Sequence, residues 1–341
     1  MTNLVSLSLC ALLCAPGDEV WESMPSGTDL PLHDVHFVDS QQGWIIGYGN
    51  GLLLGTTDAG QRWHELARLR PIYFEQVQFV DANHGWLCGE YGTVMRSADG
   101  GKTWADVSPA IADLLVEPFE FEDPPAGVIA LYYAMHFSTA DEGIVAGMQR
   151  HTRTGERSTM ILRTQDAGAN WTREPAPSGD FLVEIQMLDG DPSGMSIGRQ
   201  FHQTEDGGQT WTTMEGRLRA VQPRGLFFLE PDVGWSCSFD GKVLRTTNGG
   251  LSWTHEQVTR NRLRSIAFLD RNTGFVAGDA NSEPGVLWST TDGGSQWSPV
   301  DVEPVDLHRI ALTPEAAFVV GKQGVILKQQ RSSGEAPPRD D

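Results

Sequence analysis

Residues 77–104 read VQFVDANHGWLCGEYGTVMRSADGGKTW, and this stretch decides the fold. Short apolar runs (VQFV, GWLCG, TVMRS) alternate with turns rich in Asp, Asn and Gly and close on Trp104. Short runs bounded by such residues are strands joined by tight turns. The closing octet recurs as TTDAGQRW at 56–63, SADGGKTW at 97–104, TQDAGANW at 164–171, TEDGGQTW at 204–211, TTNGGLSW at 246–253 and TTDGGSQW at 290–297. The intervals between its Trp residues are 41, 67, 40, 42 and 44, and Trp21 lies 42 residues before Trp63, on the same grid.

A second motif precedes each octet. VHFVDSQQGWIIG (35–47), VQFVDANHGWLCG (77–89) and IAFLDRNTGFVAG (266–278) show it clearly, while LFFLEPDVGWSCS (226–238) and MHFSTADEGIVAG (135–147) are looser. Each unit therefore reads as four short strands in about 41 residues, the signature of a propeller blade. The 310 residues from Trp21 to Gln330, less 26 extra in the long interval, make seven such units. The seventh has strands near 307–312, 316–321 and 324–330 and then runs out; Val20–Met24, carrying the on-grid Trp21, can supply its fourth. The expected fold is all-β: one seven-bladed propeller of four-stranded antiparallel blades over 18–330, closed by the N-terminal strand so that no sheet edge stays open.

The octet's chemistry is that of a turn. Asp58, Asp99, Asp166, Asp206 and Asp292, with Asn248 in the fifth copy, can accept hydrogen bonds from turn amides. Trp63, Trp104, Trp171, Trp211, Trp253 and Trp297 give each unit a large apolar anchor. Six copies cannot be one catalytic site, so these residues are read as structural.

Function is expected at the opposite end, on the loops joining strands two and three and on those joining blades. Tyr48, Tyr73, Tyr91, Tyr132 and Tyr133, with Phe74, Phe201 and Phe239, map to or beside them. Arg217, Arg219 and Arg224 precede blade 5, Arg260, Arg262 and Arg264 precede blade 6, Arg309 begins blade 7, and Arg150, Arg153 and Arg157 occupy a long loop of blade 3. Tyr and Arg are enriched at interface hot spots. Most of the extra length lies at 108–130, SPAIADLLVEPFEFEDPPAGVIA, an insertion between blades 2 and 3 mixing apolar and acidic residues. His36, Gln78, His136 and Gln186 share one innermost-strand position and are expected to line a wet channel, since two His are too few for a metal site. No metal or cofactor is expected.

The chain has 45 acidic and 25 basic residues, a net charge of −20, which argues against nucleic acid as partner. Sixteen of the acids fall in the turns of the octet end against three basic residues, a local −13, so the acidity conceals a basic sector at blades 5 and 6. No apolar run approaches the ~20 residues of a membrane helix. Residues 4–15, LVSLSLCALLCA, followed by PGDE, suggest an export signal over 1–17, although no Lys or Arg precedes the run and Leu precedes both Cys10 and Cys14. Cys88 and Cys237 occupy equivalent positions in distant units and are expected to be separate thiols. Residues 331–341 are expected to be a disordered tail.

The coupled motifs, Phe-x-Asp-x-x-x-Gly-Trp/Phe-x-x-Gly with the Asp-box octet in nearly every blade, resemble the photosystem II stability/assembly factor family over residues 20–330. The resemblance implies a monomeric, non-enzymatic, exported scaffold that binds a protein partner, a membrane-protein complex. It also implies an Arg-rich binding patch, matched by loop region to Arg217, Arg219, Arg224, Arg260, Arg262 and Arg264, with Arg309, Tyr48 and Tyr91 beside it. The insertion at 108–130 departs from the family's compact pattern. The alternatives are a sialidase-like glycoside hydrolase, which also carries Asp-boxes, or a carbohydrate-binding or adhesin propeller. A hydrolase would draw on carboxylates such as Glu90, Asp240, Asp279 and Glu283, but Arg70-Pro71-Ile72 reverses the sialidase order and no Tyr–Glu nucleophile pair is evident.

Overall fold

The computed structural model describes residues 20–111, 127–177, 180–188, 190–214, 222–281 and 286–330. The expected signal at 1–17, the tail at 331–341, Arg217, Arg219, Glu283 and the insertion's residues 112–126 lie outside the described residues. Seven four-stranded antiparallel sheets form the blades. Their innermost strands are Leu32–Phe37, Phe74–Phe79, Val128–Phe137, Glu184–Met187, Pro223–Phe228, Leu263–Phe268 and Leu307–Leu312. Each packs on the next and the seventh packs on the first, so the ring is closed. Trp21–Met24 pairs antiparallel with Ile326–Gln330, from Trp21 opposite Gln329 to Met24 opposite Ile326, and completes blade 7. Among the described residues the helical content is one 3-10 turn, Lys322–Gly324, and no helix is long and apolar enough to cross a membrane.

The upstream motif is an inter-blade zipper. In five blades the Phe ending the innermost strand lies under its own Asp-box Trp, edge to face, and in four of these it is also stacked by an aromatic from the second strand of the preceding blade. Trp44 stacks on Phe79 with centroids 3.7 Å apart, Trp86 on Phe137 at 3.9 Å, Trp235 on Phe268 at 3.6 Å, and Phe318 of blade 7 on Phe37 of blade 1 at 4.4 Å. Edge contacts to the octet Trp run from 5.8 to 6.4 Å. Offset and T-shaped pairs are the favoured aromatic geometries and add to burial. The Gly before the second-strand aromatic is required by close approach: a Cβ on Gly85 would stand 2.5 Å from the Phe79 ring.

The Asp-boxes form the expected turns. In the first, the Thr56 hydroxyl donates to Asp58 (2.9 Å) and accepts the Gly60 N–H (3.1 Å), while Asp58 Oδ1 accepts the Arg62 N–H at 2.9 Å. Asp99, Asp166, Asp206, Asn248 and Asp292 repeat the amide contact at 2.7–2.9 Å. Hydrogen bonds to the charged form hold Asp58 and Asp99 down at about 2, and lower Asp166, Asp206 and Asp292 as well. The indole N–H of Trp104, Trp211 and Trp297 donates to the carbonyl of its own octet's second Gly at 3.0–3.1 Å.

The polar innermost-strand position does more than line a channel. Gln78 donates to the Phe137 carbonyl (3.0 Å) and accepts its N–H (2.7 Å), and Gln186 does the same with Phe228 at 2.7 Å each. His36 Nε2 meets the Phe79 carbonyl at 2.8 Å, and burial lowers its pKa to about 4. Each thus staples one blade to the next.

Three placements differ from expectation. Tyr132, Phe74 and Phe201 are buried core residues, because alternation along their strands points them between sheets. Val128–Ala130, read as insertion, belongs to the ten-residue innermost strand of blade 3. Arg150 and Arg157 are strand residues paired across that blade's elongated hairpin. Cys88 and Cys237 are buried free thiols.

Candidate partner-binding face

The end of the ring opposite the Asp-boxes is built by the hairpins joining strands two and three and by the connectors between blades. At the channel mouth each blade offers one side chain: His33, Glu75, Tyr133, Val183, Arg224, Arg264 and His308 in order. The next residue inward supplies Asp34, Gln76, Glu184 and Arg309 to the same pocket.

Arg309 reaches across the channel. Its guanidinium bonds Glu184 of blade 4 at 2.6 and 3.0 Å, and its Nε lies 3.0 Å from Asp34 of blade 1. Asp34 also accepts the Val77 N–H at 2.8 Å, and Glu184 accepts from Gln76 at 3.0 Å. Both carboxylates are buried, and burial outweighs Arg309 in raising the Asp34 pKa. Three blades non-adjacent in sequence are thereby tied through one cation.

On the side of blades 5 and 6, three guanidinium groups converge on one ring. Arg224, Arg262 and Arg264 lie 5.4, 5.7 and 6.0 Å from the Phe239 centroid, within cation–π range. Arg264 is also ion-paired with buried Asp279. Among the described residues neither Arg224 nor Arg262 has an acidic partner within salt-bridge distance. Arg260 and Arg262 are exposed on the connector entering blade 6, whose Thr259 and Asn261 are buried and fix its course.

On the side of blades 1 and 2 the face is aromatic and acidic. Tyr48 and Tyr73 are each 41% exposed and touch with centroids 4.5 Å apart, and His33 lies 4.7 Å from Tyr48. Tyr91 takes a left-handed conformation (φ 56°) in the blade 2 hairpin and packs on the core shared by blades 1 and 2. His308 is buried with Nδ1 2.7 Å from the Leu32 carbonyl, and burial lowers its pKa to about 4.

The structure brings Arg224, Arg262 and Arg264 together and sets Arg309 apart in the channel tether. Asp34, Gln76 and Glu184, absent from the sequence expectations, each stand two residues before His36, Gln78 and Gln186, at a position that is polar in those blades. Of the carboxylates considered for hydrolysis, Asp279 is held by Arg264 and Asp240 by Lys242, while burial raises the Glu90 pKa. Among the described residues no group of His, Cys, Asp or Glu is arranged to hold a metal ion.

These features define the class: a seven-bladed Asp-box propeller with a mixed-charge loop face over its channel. The chain belongs to the family described as photosynthesis system II assembly factor YCF48, which it matches over residues 14–108, 70–216 and 209–333. It is 27% identical to the photosystem II assembly protein Ycf48 of Thermosynechococcus vestitus, covering 98% of this chain and 91% of that one. It is 25% identical to the photosystem II assembly lipoprotein Ycf48 of Synechococcus sp. (strain CC9902), covering 95% and 93%. A solved structure described as YCF48 bound to D1 peptide shares the fold, with a TM-score of 0.69, 21% identity and coverage of 92% of this chain and 97% of that one.

Proposed function

We propose that this protein is a non-enzymatic, exported assembly factor that holds a polypeptide segment of a membrane-protein partner on its loop face. The observation that carries the reading is the convergence of Arg224, Arg262 and Arg264 on Phe239. Two of these guanidiniums are left without acidic partners among the described residues, beside an aromatic platform, which suits an acidic, partly apolar peptide. Family membership supports an assembly role, and the description of a relative bound to D1 peptide makes a D1 peptide the first partner to test. Export is supported by the relative described as a lipoprotein. Arg260 belongs to the same patch, as do Arg217 and Arg219 by sequence position. Arg309 acts by holding the mouth in shape, and Tyr48 and Tyr91 flank the site.

The test is charge reversal at positions whose cation is not already spent: Arg224→Glu with Arg262→Glu. Capture of a D1-type peptide should weaken by at least about tenfold and lose most of its salt dependence, with the melting temperature little changed. Undiminished capture by the folded double variant refutes the patch.

A further inference from the structure

The loop face carries a second feature that the basic cluster does not use. Five large apolar or aromatic side chains stand well exposed among the described residues, and two of them, Tyr48 and Tyr73, form one contiguous surface at the mouth. They are held in place from below. The Tyr73 ring lies over the backbone of Gly49, where a Cβ would come within 2.6 Å of it. The Tyr48 amide donates to the Pro31 carbonyl at 2.9 Å, and His33 packs against the Tyr48 ring.

Carboxylates back this aromatic pair. Glu90 accepts the Tyr73 N–H at 3.3 Å, and Glu75 lies 3.2 Å from His33, the residue under Tyr48. Burial comes first in raising the Tyr48 phenol, with Glu75 and Glu90 adding and Arg264 opposing. The acidic and basic fields of the face therefore meet at this ring.

Two tyrosine faces with negative charge behind them attract a cation through both the ring quadrupole and Coulomb's law. An anion is repelled there, and an apolar group would desolvate the two carboxylates without return. We propose that Tyr48 and Tyr73, backed by Glu75 and Glu90, form a second subsite that receives a lysine or arginine side chain of the bound polypeptide. This rests on the reading that a polypeptide occupies the loop face. With an acidic group over Arg224 and Arg262 and a cationic one over Tyr48, the face reads the direction in which the segment crosses the channel.

The probe is the acetylated, amidated tripeptide Gly-Lys-Gly and its norleucine counterpart, titrated into the full chain carrying ring-labelled tyrosine and followed by NMR. Tyr48→Phe and Tyr73→Phe assign the two rings. Both rings should shift with the lysine peptide, the norleucine peptide should bind about fivefold more weakly, and Glu75→Gln should bring lysine down to the norleucine level. Absent ring shifts, equal responses to the two peptides, or a lysine response unaltered by Glu75→Gln overturn the subsite. Neither peptide carries a carboxylate, so this result is independent of Arg224 and Arg262, whose failure would appear only in partner capture.

Discussion

Replacing Arg309 by Met removes the one cation between Asp34 and Glu184 while keeping much of the side chain's volume. The wild-type contacts are at 2.6, 3.0 and 3.0 Å, and both carboxylates are buried. Breaking a buried pair by deleting one partner costs about 3–5 kcal/mol, because charge is left uncompensated. The Arg309 side chain is 30% exposed at the mouth, so some water screens the site and the lower end, about 3 kcal/mol, is expected. At about 2–4 °C per kcal/mol for domains approaching this size, the melting temperature should fall by roughly 6–12 °C at neutral pH. The loss should depend on pH with a definite sign. Burial already raises the Asp34 pKa, and without Arg309 that rise loses its chief opponent, so the penalty is full at high pH and fades as pH falls toward the unfolded value of about 4. Adding Asp34→Asn and Glu184→Gln keeps the acceptors used by the Val77 N–H and Gln76 and removes both charges, so the triple variant should regain most of the loss. Calorimetry from pH 4 to 8 on the three proteins provides the assay. A drop below about 1 kcal/mol that does not change with pH would refute the tether.

Trp86→Ala, which empties a fully buried site stacked on Phe137, should cost about 3–5 kcal/mol in denaturant titration; a loss under 1 kcal/mol would mean the zipper carries no weight. Deleting residues 18–30 removes the strand that completes blade 7, and an unchanged melt would contradict closure by Trp21–Met24. The Asp-box carboxylates sit below their ordinary pKa, Asp58 and Asp99 at about 2. Their contribution is present above the unfolded value and is lost as pH falls through the folded one, so melting temperature should decline between about pH 4 and 2. Asp58→Asn should flatten that decline, since Asn248 builds the same turn with no titrating group; an undiminished slope would locate acid sensitivity elsewhere.

The fold was legible because one local rule is written repeatedly: the octet spacing, the Gly-aromatic pair and the on-grid Trp21 each specify a turn or strand without reference to distant residues. Cross-ring chemistry was not. Glu184 and Arg309 are 125 residues apart, and although Arg309 holds the same inward strand position as Asp34 and Glu184, no local feature says that the three side chains meet across the channel. Strand alternation could have separated buried Tyr132 from partly exposed Tyr133, but loop proximity grouped them together. His36, Gln78 and Gln186 were recognised as equivalent, yet their hydrogen bonds run to the neighbouring blade's backbone, which appears only when the ring is closed.

The proposed partner site lies on the loop face at blades 5 and 6 and not on the Asp-box end. Site-specific photocrosslinking decides it, with a benzophenone side chain at Phe239 in one variant and, in another, at Leu251, which is 73% exposed in an Asp-box turn. A crosslinked adduct with a membrane-protein polypeptide is expected from position 239 and none from position 251. An adduct from 251 with none from 239 would contradict it.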